Sequence, residues 1–169
     1  MNRSDFIFTL ATLADVDQLV VLEQGLFMTD HSSRKNLRYL VQRATVIVAK
    51  TPKTNKIVGF AILLGRKNSC KKRIYALGVT ASNRNSGIGS QLVAILENAA
   101  DKANCTTLTL EVGDRNKAAI TFYNKCGFKQ HGFRYGYYKD GGHALLMHKN
   151  LTEEPEEKNR SGCVIMRSG

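Results

Sequence analysis

Apolar and polar positions recur along this chain with two different periods, and the switches between them outline an α/β domain. Phe6 to Leu10 (FIFTL) reads as a first strand. Val16, Leu19, Val20, Leu22 and Phe27 follow at helical spacing behind Asp15, which predicts a helix capped by that carboxylate. Ser32 and Ser33 stand ready to cap a second, basic helix through Arg43. Three apolar runs come next, TVIVAK (45–50), KIVGFAILLG (56–65) and RIYALGVT (73–80), divided by a Pro-Lys-Thr-Asn turn and a basic loop. They predict three strands joined by hairpins. Beyond them the pattern predicts a helix from about Gly87 to Ala103, a strand over 106–113, and a helix from an Asn116 cap to about Lys125. GFKQHGFRYGYY and HALLMHK then form a last hairpin across KDGG. From Thr152 the chain turns polar (TEEPEEKNRSGCVIMRSG), so residues 1–151 read as one domain and 152–169 as a disordered tail.

Composition adds little to that outline until charge is considered. A chain of 169 residues with 43% hydrophobic content can fill one core without disulfides or a metal. No N-terminal apolar segment and no run of membrane-spanning length stands out, so a soluble, cytoplasmic protein with no membrane partner is expected. Cys70, Cys105, Cys126 and Cys163 are scattered singly, without C-x-x-C or a histidine at ligand spacing, which reads as reduced thiols and no metal site. The CVIM run at 163–166 is followed by Arg167, Ser168 and Gly169, so prenylation there is not expected.

The net charge of +11 does change the picture. Residues 1–151 alone hold 22 basic against 10 acidic side chains, so the domain itself is basic. Five of the eight positions from Arg66 to Arg73 are Lys or Arg. Such a surface suits an anionic partner, either nucleic acid or ribosome, or a small polyanion such as a nucleotide-bearing cofactor. A solvated, basic hairpin loop is the plain alternative.

The short stretch Arg84-Asn85-Ser86-Gly87-Ile88-Gly89, between an apolar strand and a long helix, is where chemistry first shows. Glycines there can serve the backbone angles of a strand-to-helix turn. They can also expose backbone N–H groups, from Asn85 to Ser90, at the positive end of a helix, which is a seat for phosphate.

These segments together resemble the GNAT superfamily of acetyl-CoA-dependent N-acetyltransferases, whose turn has the form Arg/Gln-x-x-Gly-x-Gly/Ala. Within it, LTLEVGDRNKAAITFYNKCGF is similar to the ribosomal-protein alanine acetyltransferases and other enzymes that acetylate protein N-termini. The matching positions are Glu111, Asn116, Ala118 to Ile120, Tyr123 and Gly127-Phe128, with YYKDGGHALLM beyond them. The resemblance spans residues 5–150. It implies a mixed, mostly antiparallel sheet flanked by helices, with acetyl-CoA between two splayed central strands. It also implies that Leu77, Gly78 and Val79 hold the pantetheine arm, that Arg84 to Ser90 hold the diphosphate, and that Asn116 contacts the cofactor. Asn116 also reads as an ordinary helix N-cap.

Two further residues carry the expected proton transfers. In LTLEVG the alternation places Leu108, Leu110 and Val112 on one face and Thr109 and Glu111 on the other. A mid-strand glutamate is either a salt-bridged carboxylate or a general base for the attacking amine. Tyr123 is either core packing or, as the resemblance implies, the acid that protonates the leaving thiolate. Tyr137 and Tyr138 are either strand residues on opposite faces or, by the same resemblance, the holders of the acceptor's backbone. Two positions depart from the family pattern: Gly78, where relatives often carry a larger residue, and His143, where an acid is common.

The chemistry expected is direct acetyl transfer in a ternary complex to a primary amine, most simply a protein N-terminus. A small-molecule amine is the alternative acceptor. A catalytically silent domain that binds nucleic acid through its basic surface is the rival from another class.

Overall fold

The computed structural model describes residues 6–152. The expected tail, Cys163 and the CVIM run therefore lie outside the described residues, Thr152 excepted. Seven strands and four helices follow one another as β1 (Ile7–Leu10), α1 (Val16–Leu26), α2 (Arg34–Arg43), β2 (Thr45–Lys50), β3 (Ile57–Gly65), β4 (Lys71–Val79), α3 (Ile88–Lys102), β5 (Thr107–Gly113), α4 (Lys117–Lys125), β6 (Lys129–Arg134) and β7 (Ala144–Asn150). Every element expected from the pattern is present. No helix among the described residues is long and apolar enough to cross a membrane.

The strands form one sheet in the order β1-β2-β3-β4-β5-β7-β6. All neighbours are antiparallel except β4 and β5, which run parallel and pair only from Lys71–Thr107 to Arg73–Thr109. The sheet then opens. Just past the last pair, the β3–β4 register shifts so that Ile62 faces Ala76 while Leu63 faces Ile74, leaving Tyr75 as an extra residue on β4. A bulge of this kind bends its strand and raises its twist, here turning β4 away from β5.

The two sheet faces bury separate cores. Val16 and Leu19 of α1 and Leu37 and Leu40 of α2 pack on Val46, Val48, Phe60 and Ile62. On the other face Ile88, Leu92 and Leu96 of α3 and Tyr123 of α4 pack on Ala61, Leu63, Leu108, Leu110 and Val112. This double cover explains the unbroken apolar run of β3, which is buried from Ile57 to Leu63.

Helix starts follow sequence chemistry with one exception. Ser33 Oγ accepts from the Asn36 N–H at 3.2 Å, and Asn116 Oδ1 accepts from the Ala119 N–H at 3.1 Å. Asp15 heads α1 but makes no side-chain cap. Its buried carboxylate turns back instead, accepting from the Thr12 N–H at 2.8 Å and pairing with Lys50 at 2.6 Å. An ammonium within reach outcompetes the helix N–H groups for those oxygens.

Candidate active site

The opening between β4 and β5 leads into a cavity of about 930 Å³ that takes in Arg73, Leu77, Glu111, Tyr123, Tyr137 and Tyr138. Asn116 also reaches its wall. The α1–α2 connection, from Phe27 to Ser33, closes one side, and the β6–β7 turn closes another. Thus the expected acid, base and acceptor-holding residues converge on one space. Gly78, Val79 and the turn from Arg84 to Ser90 do not line it. Arg84 borders a second cavity, of about 620 Å³, between α1 and the β4–α3 connection.

Alternation along β5 decides how the site is built. Leu108, Leu110 and Val112 are buried against α3 and α4, so Glu111 faces the α1–α2 side of the sheet. Tyr123 approaches from α4 on the other face. The two meet in the same cavity only because β5 has lost its neighbour there.

Glu111 is not free. Its Oε2 accepts from Arg73 Nε at 2.7 Å, and the same guanidinium donates through Nη2 to the Tyr137 hydroxyl at 2.7 Å. The Glu111 side chain is 16% exposed and that of Arg73 36% exposed. Desolvation works against the Arg73 charge, but the hydrogen bond and charge of Glu111 outweigh it and hold the guanidinium still more firmly protonated than usual. Pattern reading counts Arg73 in the basic cluster and as the first residue of a strand, but gives it no role in the site. Its partner lies 38 residues away, and only the β4–β5 register unites them.

The three tyrosines differ in setting. Tyr123 is 8% exposed, with its ring 5.1 Å from that of Phe122 and 5.7 Å from that of Phe128. Burial pushes its phenol far above the usual value, reinforced by Cys126 and Tyr138, so it stays protonated. Burial, with Tyr137, Glu111 and Asp30, pushes Tyr138 up to about 12 against the opposing charge of Arg73. Tyr137 and Tyr138 were expected within a strand, but β6 stops at Arg134 and Gly136 takes the left-handed φ of +57°. Both tyrosines therefore sit in the connecting turn, their rings at 90° and 5.0 Å apart, and both reach the cavity.

Glu23 was also missed, although it falls on the apolar stripe of α1 at helical spacing from Val16 and Leu19. It is 2% exposed and accepts from the Ser32 N–H at 2.5 Å, pinning the α1–α2 connection along the cavity. Burial raises its carboxyl, an effect only partly offset by that hydrogen bond.

The glycine turn has the geometry of an anion seat. Asn85 (φ 61°) and Gly87 (φ 87°) are both left-handed, and α3 starts at Ile88. The first helical bond is from the Gln91 N–H to the Gly87 carbonyl at 3.1 Å, so the N–H groups of Ile88, Gly89 and Ser90 keep no acceptor within the helix. Ile88 buries its side chain in the core and offers only its backbone. A Cβ on Gly87 would meet nothing within 4 Å, whereas one on Gly89 would lie 3.1 Å from the Phe122 ring. The second glycine thus lets α3 pack on α4. Gly78 has a packing reason too, since a Cβ there would lie 2.6 Å from Leu26 Cδ1 and 3.0 Å from Phe60. Among the described residues no cluster of His, Cys, Asp and Glu has the makings of a metal site.

Comparison with known proteins places this architecture. Residues 16–128 match the acetyltransferase (GNAT) family. An uncharacterised N-acetyltransferase of Methanocaldococcus jannaschii is 36% identical over 104 residues, which span 61% of this chain and 64% of that relative. The N-alpha-acetyltransferase RimI of Mycobacterium tuberculosis is 29% identical over 136 residues, 78% of this chain and 83% of its own. In three dimensions the crystal structure of Ard1 from Thermoplasma volcanium superposes with a TM-score of 0.80 at 23% identity, covering 88% of this chain and 99% of that one.

Proposed function

The chain belongs to the acetyltransferase (GNAT) family, and from that premise we propose that it moves an acetyl group from acetyl-CoA directly to a protein N-terminal α-amino group. The observation that carries the proposal is the shared cavity, with Glu111 reaching it from one face of the sheet and Tyr123 from the other. Bound acetyl-CoA supplies the thioester that the amine attacks and the thiolate that leaves.

The residues present suit that cofactor. The N–H groups of Asn85 to Ser90 would hold its diphosphate, aided by the α3 dipole and by the open space at Gly87. From Ile74 to Val79 β4 has no strand partner on the β5 side, so its backbone would bind the pantetheine amides around Leu77, Gly78 and Val79. Asn116, already spending its side chain on the α4 cap, would contribute from the far wall of the cavity.

Glu111 is the base. Oε2 is fixed by Arg73, which leaves Oε1 to take the amine's proton, directly or through one water. Arg73 and Tyr137 keep the carboxylate from swinging away. Tyr123 is the acid: burial keeps its phenol protonated, so a proton is at hand for the departing thiolate, although the same burial makes the phenol a weaker acid than it is in water. Tyr137 and Tyr138 hold the acceptor backbone at the mouth. No cysteine among the described residues lines this cavity, which supports direct transfer over a covalent enzyme intermediate.

An α-amino group titrates near ~7.8 and a lysine near ~10.4, so neutralising lysine costs ~3.5 kcal/mol more at equilibrium. A single ion-paired carboxylate therefore suits an N-terminus better than a lysine side chain. The names of the relatives point the same way. Incubating the protein with acetyl-CoA and a panel of peptide N-termini, lysine peptides and polyamines, while following CoA release, tests the reading. Turnover confined to N-terminal peptides is expected. Activity on free amines alone, or steeply salt-dependent RNA binding without acetyl-CoA binding, would replace it.

A further inference from the structure

We infer that His143 is a positioning residue for the acceptor: its imidazole, acting as a hydrogen-bond acceptor, closes the neck of the turn carrying Tyr137 and Tyr138, so acceptor affinity falls when the ring takes up a proton. The inference rests on the acceptor-holding role proposed above for those tyrosines.

The ladder between β6 and β7 ends at Arg134–Ala144. The next link across the neck comes from a side chain, with the Gly136 N–H donating to His143 Nδ1 at 2.9 Å. A backbone N–H can only donate, so Nδ1 must present its lone pair, and the neutral ring carries its proton on Nε2. One step further the Tyr138 N–H donates to the Gly142 carbonyl at 3.1 Å and completes the turn. The ring rests against Tyr135 and Phe133, at 5.3 Å and 5.6 Å between centroids. The His143 carbonyl accepts from the Asp114 N–H at 3.0 Å, which fastens the same residue to the β5–α4 connection. One histidine thus ties the turn both to its own neck and to the central sheet.

A protonated imidazole has a hydrogen on each nitrogen, so Nδ1–H and the Gly136 N–H would point at one another and the bond is lost. Imidazole is the side chain whose titration ordinarily falls between about pH 5 and 8. Tyr135 is the titratable group whose ring lies against the imidazole; Arg134, Lys139 and Asp140 belong to the same hairpin, and Asp114, whose backbone N–H reaches the His143 carbonyl, to the opposite connection. The Asp140 carboxylate is already committed to the Gly142 N–H at 2.9 Å, leaving the imidazole as the switchable link. With the neck released, Tyr137 keeps its bond from Arg73 and the Arg134 guanidinium over its ring, but the tie that fixes Gly136 to β7 is gone, so the acceptor mouth loosens while the cofactor seat at α3 is untouched.

The test uses the full chain saturated with CoA and an N-acetylated, otherwise uncharged peptide, which has no α-amino group to titrate. Its Kd is measured by calorimetry at pH 7.5 and 5.5. Wild type should weaken about five- to tenfold at the lower pH, the size of one lost hydrogen bond. His143→Asn, whose Oδ1 can accept from Gly136 but cannot titrate, should restore the affinity seen at pH 7.5 and hold it at both values. His143→Leu should be weak at both. In parallel, ¹⁵N shifts of the wild-type ring should show Nδ1 unprotonated at pH 7.5, with the Gly136 amide signal moving as the ring titrates. That readout needs neither peptide nor variant. An equal pH loss in wild type and His143→Asn, a pH-independent wild type, or a protonated Nδ1 at pH 7.5 would overturn the role of His143. Failure of any peptide to bind at either pH, with the ring signature as expected, would instead overturn the N-terminal reading beneath it.

Discussion

Replacing Glu111 with Gln removes the basicity of the side chain while keeping its shape. The amide oxygen of Gln can still accept from Arg73 Nε across the 2.7 Å contact, so the Arg73–Tyr137 unit keeps its geometry. What is lost structurally is the difference between a charged and a neutral hydrogen bond, about 1 kcal/mol, and less here because Arg73 is 36% exposed. Melting should fall by no more than about 4 °C. Catalysis should fall far more, by ~10²–10⁴ in kcat, equivalent to ~2.7–5.5 kcal/mol in the barrier, with acetyl-CoA affinity nearly unchanged. Without its base the variant can use only amine that has already lost its proton. For an α-amino group near ~7.8, that fraction grows ~60-fold from pH 6 to pH 9, and the rate of Glu111→Gln should climb by about that factor while wild type climbs less. Single-turnover rates on an N-terminal peptide, with CoA binding measured separately, read both quantities. Wild-type rates in the variant across this range would remove Glu111 from proton transfer and leave it as the counter-ion of Arg73.

Tyr123→Phe should keep its packing against Phe122 and Phe128, yet lose rate that raising the pH does not restore, because the missing proton belongs to the leaving group; recovery at high pH in the same turnover assay would contradict this. Gly87→Val strains a backbone at φ 87° and fills the space at the anion seat, so CoA affinity should weaken at least tenfold, or ~1.4 kcal/mol. Gly89→Ala, pressed on Phe122, should act mainly on thermal stability, and unchanged CoA affinity in a folded Gly87→Val protein would reject the seat. Burial opposes ionisation of Asp15, but hydrogen bonds from Lys50 and Thr12 outweigh it and hold its carboxyl below the usual value. The stability it contributes is therefore present above the unfolded pKa of ~3.9 and lost as pH falls through the lower folded value. Asp15→Asn should cost about 1–3 kcal/mol at pH 7, and its melting deficit should shrink below about pH 4.

How much of this could be read in the sequence depended on whether the deciding interaction was local. Periodicity located the described strands and helices because most of them bury a stripe or a face of their own residues, the sheet-edge strands β1 and β6 being the largely exposed exceptions. Caps at Ser33 and Asn116 were readable, since their partners lie three residues on. Asp15 does stand at the N-cap of α1, as the pattern reads, but it caps without a side-chain bond because Lys50, 35 positions further along the chain, and the Thr12 N–H take its carboxylate. The same holds for the closing hairpin: KDGG marks a turn correctly, but the strand stops at Arg134 because Gly136 and a histidine side chain replace the next ladder bond. Alternation correctly put Glu111 opposite the buried leucines of β5, yet could not supply Arg73.

The cavity itself had no sequence signature of its own, and the reason lies in the sheet. β4 and β5 each carry an ordinary strand pattern, and nothing in either says that their pairing stops after Arg73 and Thr109. The break coincides with the extra residue Tyr75, a register event between β4 and its other neighbour, β3. Because side chains alternate, an inserted residue also shifts phase: Ile74 stays in the α3-side core, and Leu77 packs on that same side while Ala76 packs on the other. A strict period of two from Ile74 would have placed Ala76 with Ile74 and turned Leu77 away from it. Removing Tyr75 would therefore do more than delete one exposed ring, because a regular β4 could continue its ladder along β5 and close the space in which Glu111 and Tyr123 meet. Binding geometry in this fold is created where one strand is made a residue too long for its neighbour.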